Sequence, residues 1–248
     1  MVERRGNWHG WRDVFASRSA RPAPRILADD PRLASVPKSV ARSLAIFQLG
    51  ESGGGTVIAQ ARNSKLRDID EHYADAMELF VAEEHRHAEL LACCVRALRG
   101  ELIRTNWTAK LFVFGRRLIG LRLKVMVLLA AEVVGICYYH LLSAQLPKSG
   151  MKTLLQEIVE DEKAHLKFHC CFLRTQARND VRRAIFLIAW RALMFAAAVV
   201  VLVDHRKALR DLAIPASVAW KRWMVYSRTA ENLVIRVERR AVGMLAIR

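Results

Sequence analysis

Two pentapeptides, Glu83-Glu84-His85-Arg86-His87 and Asp161-Glu162-Lys163-Ala164-His165, decide how this chain folds. Each holds an acidic residue, a Glu, and a His three places after that Glu. Positions three apart lie on one face of a helix, so Glu84 and His87 point one way, as do Glu162 and His165. One such motif on a helix would be unremarkable, but each copy is preceded by a lone Glu in an apolar helical stretch: Glu51 within Ala45 to Ala61, and Glu132 within Val125 to Leu142. Glu51 precedes Glu84 by 33 residues and Glu132 precedes Glu162 by 30. The pattern is that of a duplicated helical hairpin.

Helix lengths agree with that reading. From Glu132 a helix reaches Leu146 after about 14 residues, roughly 21 Å, and Pro147-Lys148-Ser149-Gly150 turns the chain. The return from Met151 to Glu162 is about 11 residues, roughly 17 Å, so both carboxylates come to nearly the same height. The first hairpin turns between Asn63 and Asp68. Glu51, Glu84, His87, Glu132, Glu162 and His165 then meet as four carboxylates and two imidazoles. Burying that many anions without partners would cost many kcal/mol, so cations sit among them or the helices do not converge. Two divalent metals resolve the conflict: a Glu from each of two helices plus Glu-x-x-His from the other two is the ligand set of di-iron and di-manganese bundles.

These residues resemble the ferritin-like superfamily of di-iron carboxylate proteins, over about Arg42 to Arg178. Glu83-Glu84-His85-Arg86-His87 is similar to the first ligand motif of the di-iron oxygenases. Asp161-Glu162-x-x-His165 is similar to the second motif of those enzymes and of the ribonucleotide reductase radical subunit. The resemblance implies that the six residues hold two iron ions and carry catalysis, with manganese or a mixed iron and manganese pair as alternatives. It also implies that Glu83 and Asp161 hydrogen-bond the ligand histidines, as metal-site physics asks. Arg86 is expected to bridge to a carboxylate; His85 falls on another face.

The expected fold is all-α: a ferritin-like four-helix bundle with a long crossover and additional C-terminal helices. Residues 1–38 form a basic arm with Trp8, Trp11 and several prolines, which exclude a long helix and leave it extended, either disordered or packed on the bundle. Residues 39–180 form the di-metal bundle. Residues 181–248 supply an apolar helix and basic amphipathic helices packed upon it. Hydrophobic residues make up 53% of the chain, and no strand alternation of any length occurs.

The first helix is expected from near Ser39 through Glu51, although Gly50 and Gly53-Gly54-Gly55 fall inside it. Each glycine costs about 1 kcal/mol relative to Ala in a helix interior, so the run needs a reason. Gly54 and Gly55 share the face of Glu51, where missing side chains would open a cavity for oxygen or substrate. The competing reading is a helix break that puts Glu51 in a loop. The second helix is expected over about Asp68 to Arg99, with Met77, Phe80 and Leu91 inward, and the third from about Ala109 or Arg117 to Leu146. Gly135 and Tyr139 follow Glu132 on its own face; Tyr139 is an ordinary core residue or a redox-active phenol in the pocket. His169 reads as cavity lining rather than a seventh ligand, because one helical turn, about 5.4 Å, carries it past His165.

Ala184 to Val203 is apolar and long enough to span a bilayer, but Arg191 interrupts it and basic residues flank both ends. It reads as a fifth helix packed on the bundle, with interfacial membrane contact as its competitor. Trp220, Trp223 and Tyr226 among Lys221, Arg222 and Arg228, and an amphipathic run from Glu231 to Ile247, suit either a lipid surface or a solvated helix. The net charge of +16 points to an anionic partner. The five cysteines include no Cys-x-x-Cys, so the electron-transfer appendage of rubrerythrins is missing; reduced thiols and the lack of an apolar signal core point to the cytoplasm, with peripheral contact at the inner face of the membrane.

The resemblance implies oxygenation of an organic substrate, oxidation and storage of iron, or generation of a radical. Storage fits least, because this chain is strongly basic. An oxidase or oxygenase acting on an organic, lipid-like substrate is favoured. The arylamine N-oxygenase branch carries a further His where this chain has Ile158, which argues against it. The membrane-associated ubiquinone-synthesis hydroxylases are similar in plan, and the charge would suit a transfer RNA hydroxylase. A ferroxidase, a manganese catalase-like protein and a metal-free structural bundle remain as competing readings. The partners expected are a small-molecule or lipid-like substrate, an external electron donor, a membrane surface and a second copy of the chain, with nucleic acid ranked below them.

Overall fold

The computed structural model describes residues 6–19, 21, 30–53, 55–106 and 120–235, and among them every regular element is a helix. They are α1 (Trp8–Ser19), a short 3₁₀ turn (Pro31–Leu33), α2 (Lys38–Glu51), α3 (Gly55–Arg62), α4 (Glu71–Ala97), α5 (Leu121–Gln145), α6 (Gly150–Gln176), α7 (Asp180–Asp204), α8 (Arg206–Asp211) and α9 (Ala216–Ile235). The fold is an all-α helical bundle. α2 packs along α4 and α5 along α6, and α4 packs against α6, which joins the two hairpins.

Local chemistry explains where the long helices start. The Asp70 carboxylate accepts the Tyr73 N–H at 3.1 Å, the Ser149 hydroxyl accepts the Lys152 N–H at 3.4 Å, and Asn179 accepts the Arg182 N–H at 2.9 Å. Each satisfies an N–H that the first turn cannot pair. Asp70→Ala is therefore expected to cost about 1 kcal/mol, read as a lower urea midpoint with an unchanged slope. α4 buries Tyr73, Met77, Phe80, Glu84, His87, Leu91 and Cys94, a stripe three and four residues apart that carries the polar pair in register with the core. α5 is apolar nearly all round and largely buried, since α3, α6, α7 and α9 pack on it.

Two expectations need correction, and a third reading gains a partner. The N-terminal arm is not extended: α1 ends before the first proline, Pro22, and packs on α4. Trp8 is buried, donates its indole N–H to the Asp68 carbonyl at 2.7 Å and meets the Tyr73 ring edge-on at 4.8 Å. The second correction concerns the glycines. The first helix does not run through them; it stops at Glu51, Ser52 follows as its cap, and α3 begins at Gly55. Gly54 lies outside the described residues. Glu51 is nevertheless the last helical residue rather than part of a loop. Third, Arg191 is no bare charge in an apolar helix, because Glu231 of α9 takes it in two parallel hydrogen bonds of 3.0 Å each.

The expected crossover lies largely in residues 107–119, outside the described residues, as do the proposed starts of the third helix at Ala109 or Arg117 and the tail run from residue 236 to Ile247. Among the described residues two helices are long and apolar enough to cross a membrane, Leu121–Gln145 and Asp180–Asp204; the first is core, whereas only 22% of the apolar window of the second is buried.

Candidate metal centre

Glu84 and His87 from α4 and Glu162 and His165 from α6 are all buried, and they offer ligand atoms within 4.8 Å of one another. The four therefore form a cluster that could hold a metal ion. His165 Nδ1 lies 2.9 Å from Glu84 and 3.4 Å from Glu162; His87 Nδ1 lies 3.2 Å from Glu162 and 3.8 Å from Glu84. Glu84 Oε1, His87 Nδ1, Glu162 Oε1 and His165 Nδ1 are buried and make no hydrogen bond of good geometry. Leaving polar atoms so is costly, and four such atoms turned to one point fit a cation.

The remaining two carboxylates stand at the rim of this cluster. Glu132 from α5 lies 3.5 Å from His165 Nδ1. Burial raises its pKa well above the ordinary carboxylate range, and the charges of Glu162 and Glu84 raise it further. Burial likewise raises Glu51, followed by Glu84, Glu162 and Glu132. Tyr139 donates its hydroxyl proton to Glu51 at 2.9 Å. Glu51 and Glu132 thus join the same electrostatic cluster.

Behind the histidines the two motifs are crossed. His87 of the first motif turns Nε2 to Asp161 of the second at 3.3 Å, and His165 of the second turns Nε2 to Glu83 of the first at 2.9 Å. A carboxylate on each Nε2 fixes the proton there and leaves Nδ1 to face the cluster. Without a cation, protons take its place. Burial alone would lower His87, but the hydrogen bond to Asp161 and the nearby carboxylates of Glu162 and Glu84 outweigh it and raise the pKa to about 9. His165 is raised in the same way by Glu132, Glu162, Glu83 and Glu84. Glu162 is pushed up by burial, yet its close contacts with Glu132, His165 and His87 hold it well below its usual range.

A third layer escaped the sequence reading. Arg18 of α1 contacts Glu83 at 3.4 Å and hydrogen-bonds Asp161; Arg21 reaches Asp161 at 2.6 Å and Glu83 at 3.6 Å. Arg86 adds a contact to Asp161 at 3.7 Å, in the bridging role expected of it. Burial would raise Asp161, but the bond from His87 and the charge of Arg18 outweigh it, so the carboxylate stays ionised. Phe15 seals the same side, 5.7 Å from the His165 ring. An Arg spaced three residues from another in an arm rich in arginine carries no motif, so only packing reveals this pair.

A cavity of about 540 Å³ opens beside the carboxylates. Glu51, Glu84, Glu132 and Glu162 stand at one end; Asp204 and His205 lie among its other lining residues. Its walls are mainly apolar, with Phe47, Phe80, Val127 and Leu128 from the bundle and Leu193, Ala197, Val200 and Val201 from α7. His205, held by Ser43 at 2.6 Å, is kept neutral by burial, its pKa lowered to about 4.

The glycines beside this space are not those expected. Gly50 and Gly53 line it, as do Thr56 and Val57 beyond the break; Gly55 between them does not, and nothing lies within 4 Å of where its Cβ would be. Gly135, Tyr139 and His169 also lie off the lining, behind the carboxylates. A Cβ on Gly135 would come within 3.3 Å of the Tyr139 ring and 3.9 Å of the Glu162 carboxyl carbon, so that glycine lets the phenol lie close beside Glu162. His169 Nε2 sits 3.3 Å from Glu132, and burial lowers its pKa to about 3. His85 is exposed, as its helical face requires.

The cysteines are free. Burial raises the thiols of Cys94, Cys137 and Cys170, so they remain protonated core residues, whereas Cys93 is exposed. Comparison with protein-family models, with curated proteins and with solved structures finds no match. What the chain presents is a buried Glu84, His87, Glu162 and His165 cluster, fit for a metal ion, inside an all-helical bundle compatible with the ferritin-like fold.

Proposed function

We propose that the chain is a two-metal carboxylate oxidoreductase that uses oxygen to oxidise an apolar organic molecule held in the cavity. The observation that carries this reading is the opening of a mainly apolar space of about 540 Å³ directly onto Glu51, Glu84, Glu132 and Glu162. Glu84, His87, Glu162 and His165 would hold the metals from the centre, and Glu51 and Glu132 from either side. Two iron ions, when bound, would supply the redox chemistry at oxygen and neutralise the carboxylates.

The rest of the work falls to the chain. Asp161 and Glu83 hold the imidazole protons on Nε2, so Nδ1 is presented in its donor form. Tyr139 holds one oxygen of Glu51 and orients the other. Glu51, at a helix terminus before Ser52 and Gly53, is the ligand with most freedom to move. Apolar walls exclude bulk water and hold a hydrocarbon by burial rather than by hydrogen bonds. Hydroxylation would consume one oxygen molecule, two electrons and two protons and release water, so an external two-electron donor is required.

Elemental analysis combined with oxygen uptake by the reduced, iron-loaded protein tests the reading. Two metals per chain are expected, by analogy with carboxylate bundles of this ligand set. Ala197→Phe, which narrows the cavity, should weaken binding of a fluorescent long-chain fatty acid while leaving metal content unchanged. Turnover of ferrous iron or peroxide at full rate, with no fatty-acid binding, would favour a ferroxidase or catalase-like activity instead. A chain that retains no metal would be a structural bundle.

A further inference from the structure

α7 carries an apolar face that the described fold does not use. Val181, Ile185, Ile188, Phe195, Val199 and Val203 are 69%, 61%, 73%, 60%, 41% and 50% exposed, and apolar residues exposed together, rather than singly, mark an interaction surface. They recur at helical spacing, so with Ala192 they form one continuous stripe along the helix. The opposite side packs on α5 and α9 through buried Phe186, Trp190, Met194 and Ala198. A helix packed on protein along one side cannot be ringed by lipid. It can lie flat on a bilayer.

The charges say which surface it meets. At the end of the stripe a cleft is lined by Lys38 and Arg42 of α2, Arg206, Lys207 and Arg210 of α8, and Val203, the last residue of the stripe itself; Asp204, its one acidic lining residue, and His205 stand beside them, so basic side chains outnumber acidic by five to one. All five basic side chains are exposed, and none has an ion-pair partner among the described residues. Along the flank, Trp220 of α9 meets Phe195 edge-on at 5.7 Å, and Lys221 and Arg228 are exposed on the same helix. Arg191, at the margin of the stripe, is neutralised by Glu231. An apolar stripe bordered by aromatic and basic residues is the pattern of a helix lying in the headgroup region.

We propose that α7 docks the protein on an anionic phospholipid bilayer, with its stripe against the acyl chains and lipid phosphate in the cleft formed by Lys38, Arg42, Arg206, Lys207 and Arg210. This stands apart from the redox reading. Where that reading also holds, the inner side of the same helix is a wall of the substrate cavity, and docking would place that wall against acyl chains.

Co-sedimentation of the full chain with vesicles of phosphatidylcholine, alone and mixed with phosphatidylglycerol, tests the proposal. Wild type should pellet with the mixed vesicles at least about tenfold better than with phosphatidylcholine alone, and the difference should shrink with salt. Ile188→Glu with Phe195→Glu should abolish pelleting without lowering the melting temperature, because both positions are exposed. Arg206→Glu with Lys207→Glu should weaken binding to the mixed vesicles roughly 25-fold, about fivefold per residue even before reversal is counted. No pelleting of wild type with either vesicle would overturn the proposal, as would glutamate variants that bind like wild type. A large fall in melting temperature for Ile188→Glu with Phe195→Glu would also overturn it, since the stripe would then be covered by the chain itself. So would a wild-type dimer that those substitutions convert to monomer, which would make a second copy the occupant.

Discussion

Glu162→Ala is expected to abolish metal retention. Both histidines of the cluster face Glu162, at 3.2 Å from His87 and 3.4 Å from His165, and unlike Glu51 and Glu132, which are pushed toward the neutral form, it is held ionised. Its loss removes the anion at the centre of the cluster. The effect on affinity should exceed the roughly 10- to 100-fold that follows loss of an outer hydrogen-bond partner. Differential scanning fluorimetry with ferrous or manganous ion gives the readout. At a hundred times the dissociation constant, wild type should gain about 2.7 kcal/mol, which for a chain of this size is about 5–10 °C. Glu162→Ala should gain nothing. An equal shift in both proteins would mean that the metal binds elsewhere, and no shift in wild type would mean that the cluster holds protons alone.

Arg18→Ala should have the next largest effect, although Arg18 is remote from the cation position. Its side chain is 14% exposed and that of Asp161 3%, so this is a nearly buried pair. Breaking a fully buried pair by removing one partner costs about 3–5 kcal/mol; with Arg21 and Arg86 still near Asp161, the lower part of that range is expected. The substitution should also weaken metal binding by roughly 10- to 100-fold, because Asp161 and Glu83 hold the two histidines. A purely structural role for Arg18 would lower the melting temperature alone. Arg18→Lys separates the two: it restores the charge but not the forked geometry that spans both carboxylates, so stability should recover more than metal affinity does.

The duplicated motif was legible because side chains that meet at one point from helices need a fixed spacing along the chain. Glu84 with His87 and Glu162 with His165 could share a face only as helical residues, and an apolar frame around Glu51 and Glu132 pointed both inward, where Glu132 is buried and Glu51, at its helix end, is half-buried. The expected hydrogen bonds from the histidines to Glu83 and Asp161 are present, but their crossing between the motifs depends on how α4 and α6 face each other. The glycine run was ambiguous for a physical reason. Glycine is tolerated both in a helix that needs space and at a helix end that needs a turn, and composition does not distinguish them. Here the end prevails, and Gly50 and Gly53, rather than Gly55, line the cavity.

What the linear order of residues determined by itself is the helical class, the two hairpins and the four residues of the buried Glu84, His87, Glu162 and His165 cluster, because backbone periodicity converts spacing along the chain directly into position on a helix face. Tertiary structure alone decided that Arg18 and Arg21 neutralise the outer carboxylates, that Glu231 pairs with Arg191, and that the apolar surface of α7 divides between a cavity wall and an exposed stripe. Those outcomes depend on contacts between residues 40 or more positions apart, as Arg191 and Glu231 are, or about 140 apart, as Arg21 and Asp161 are. No local rule of helix geometry relates residues at such separations; only the packing of one helix on another does.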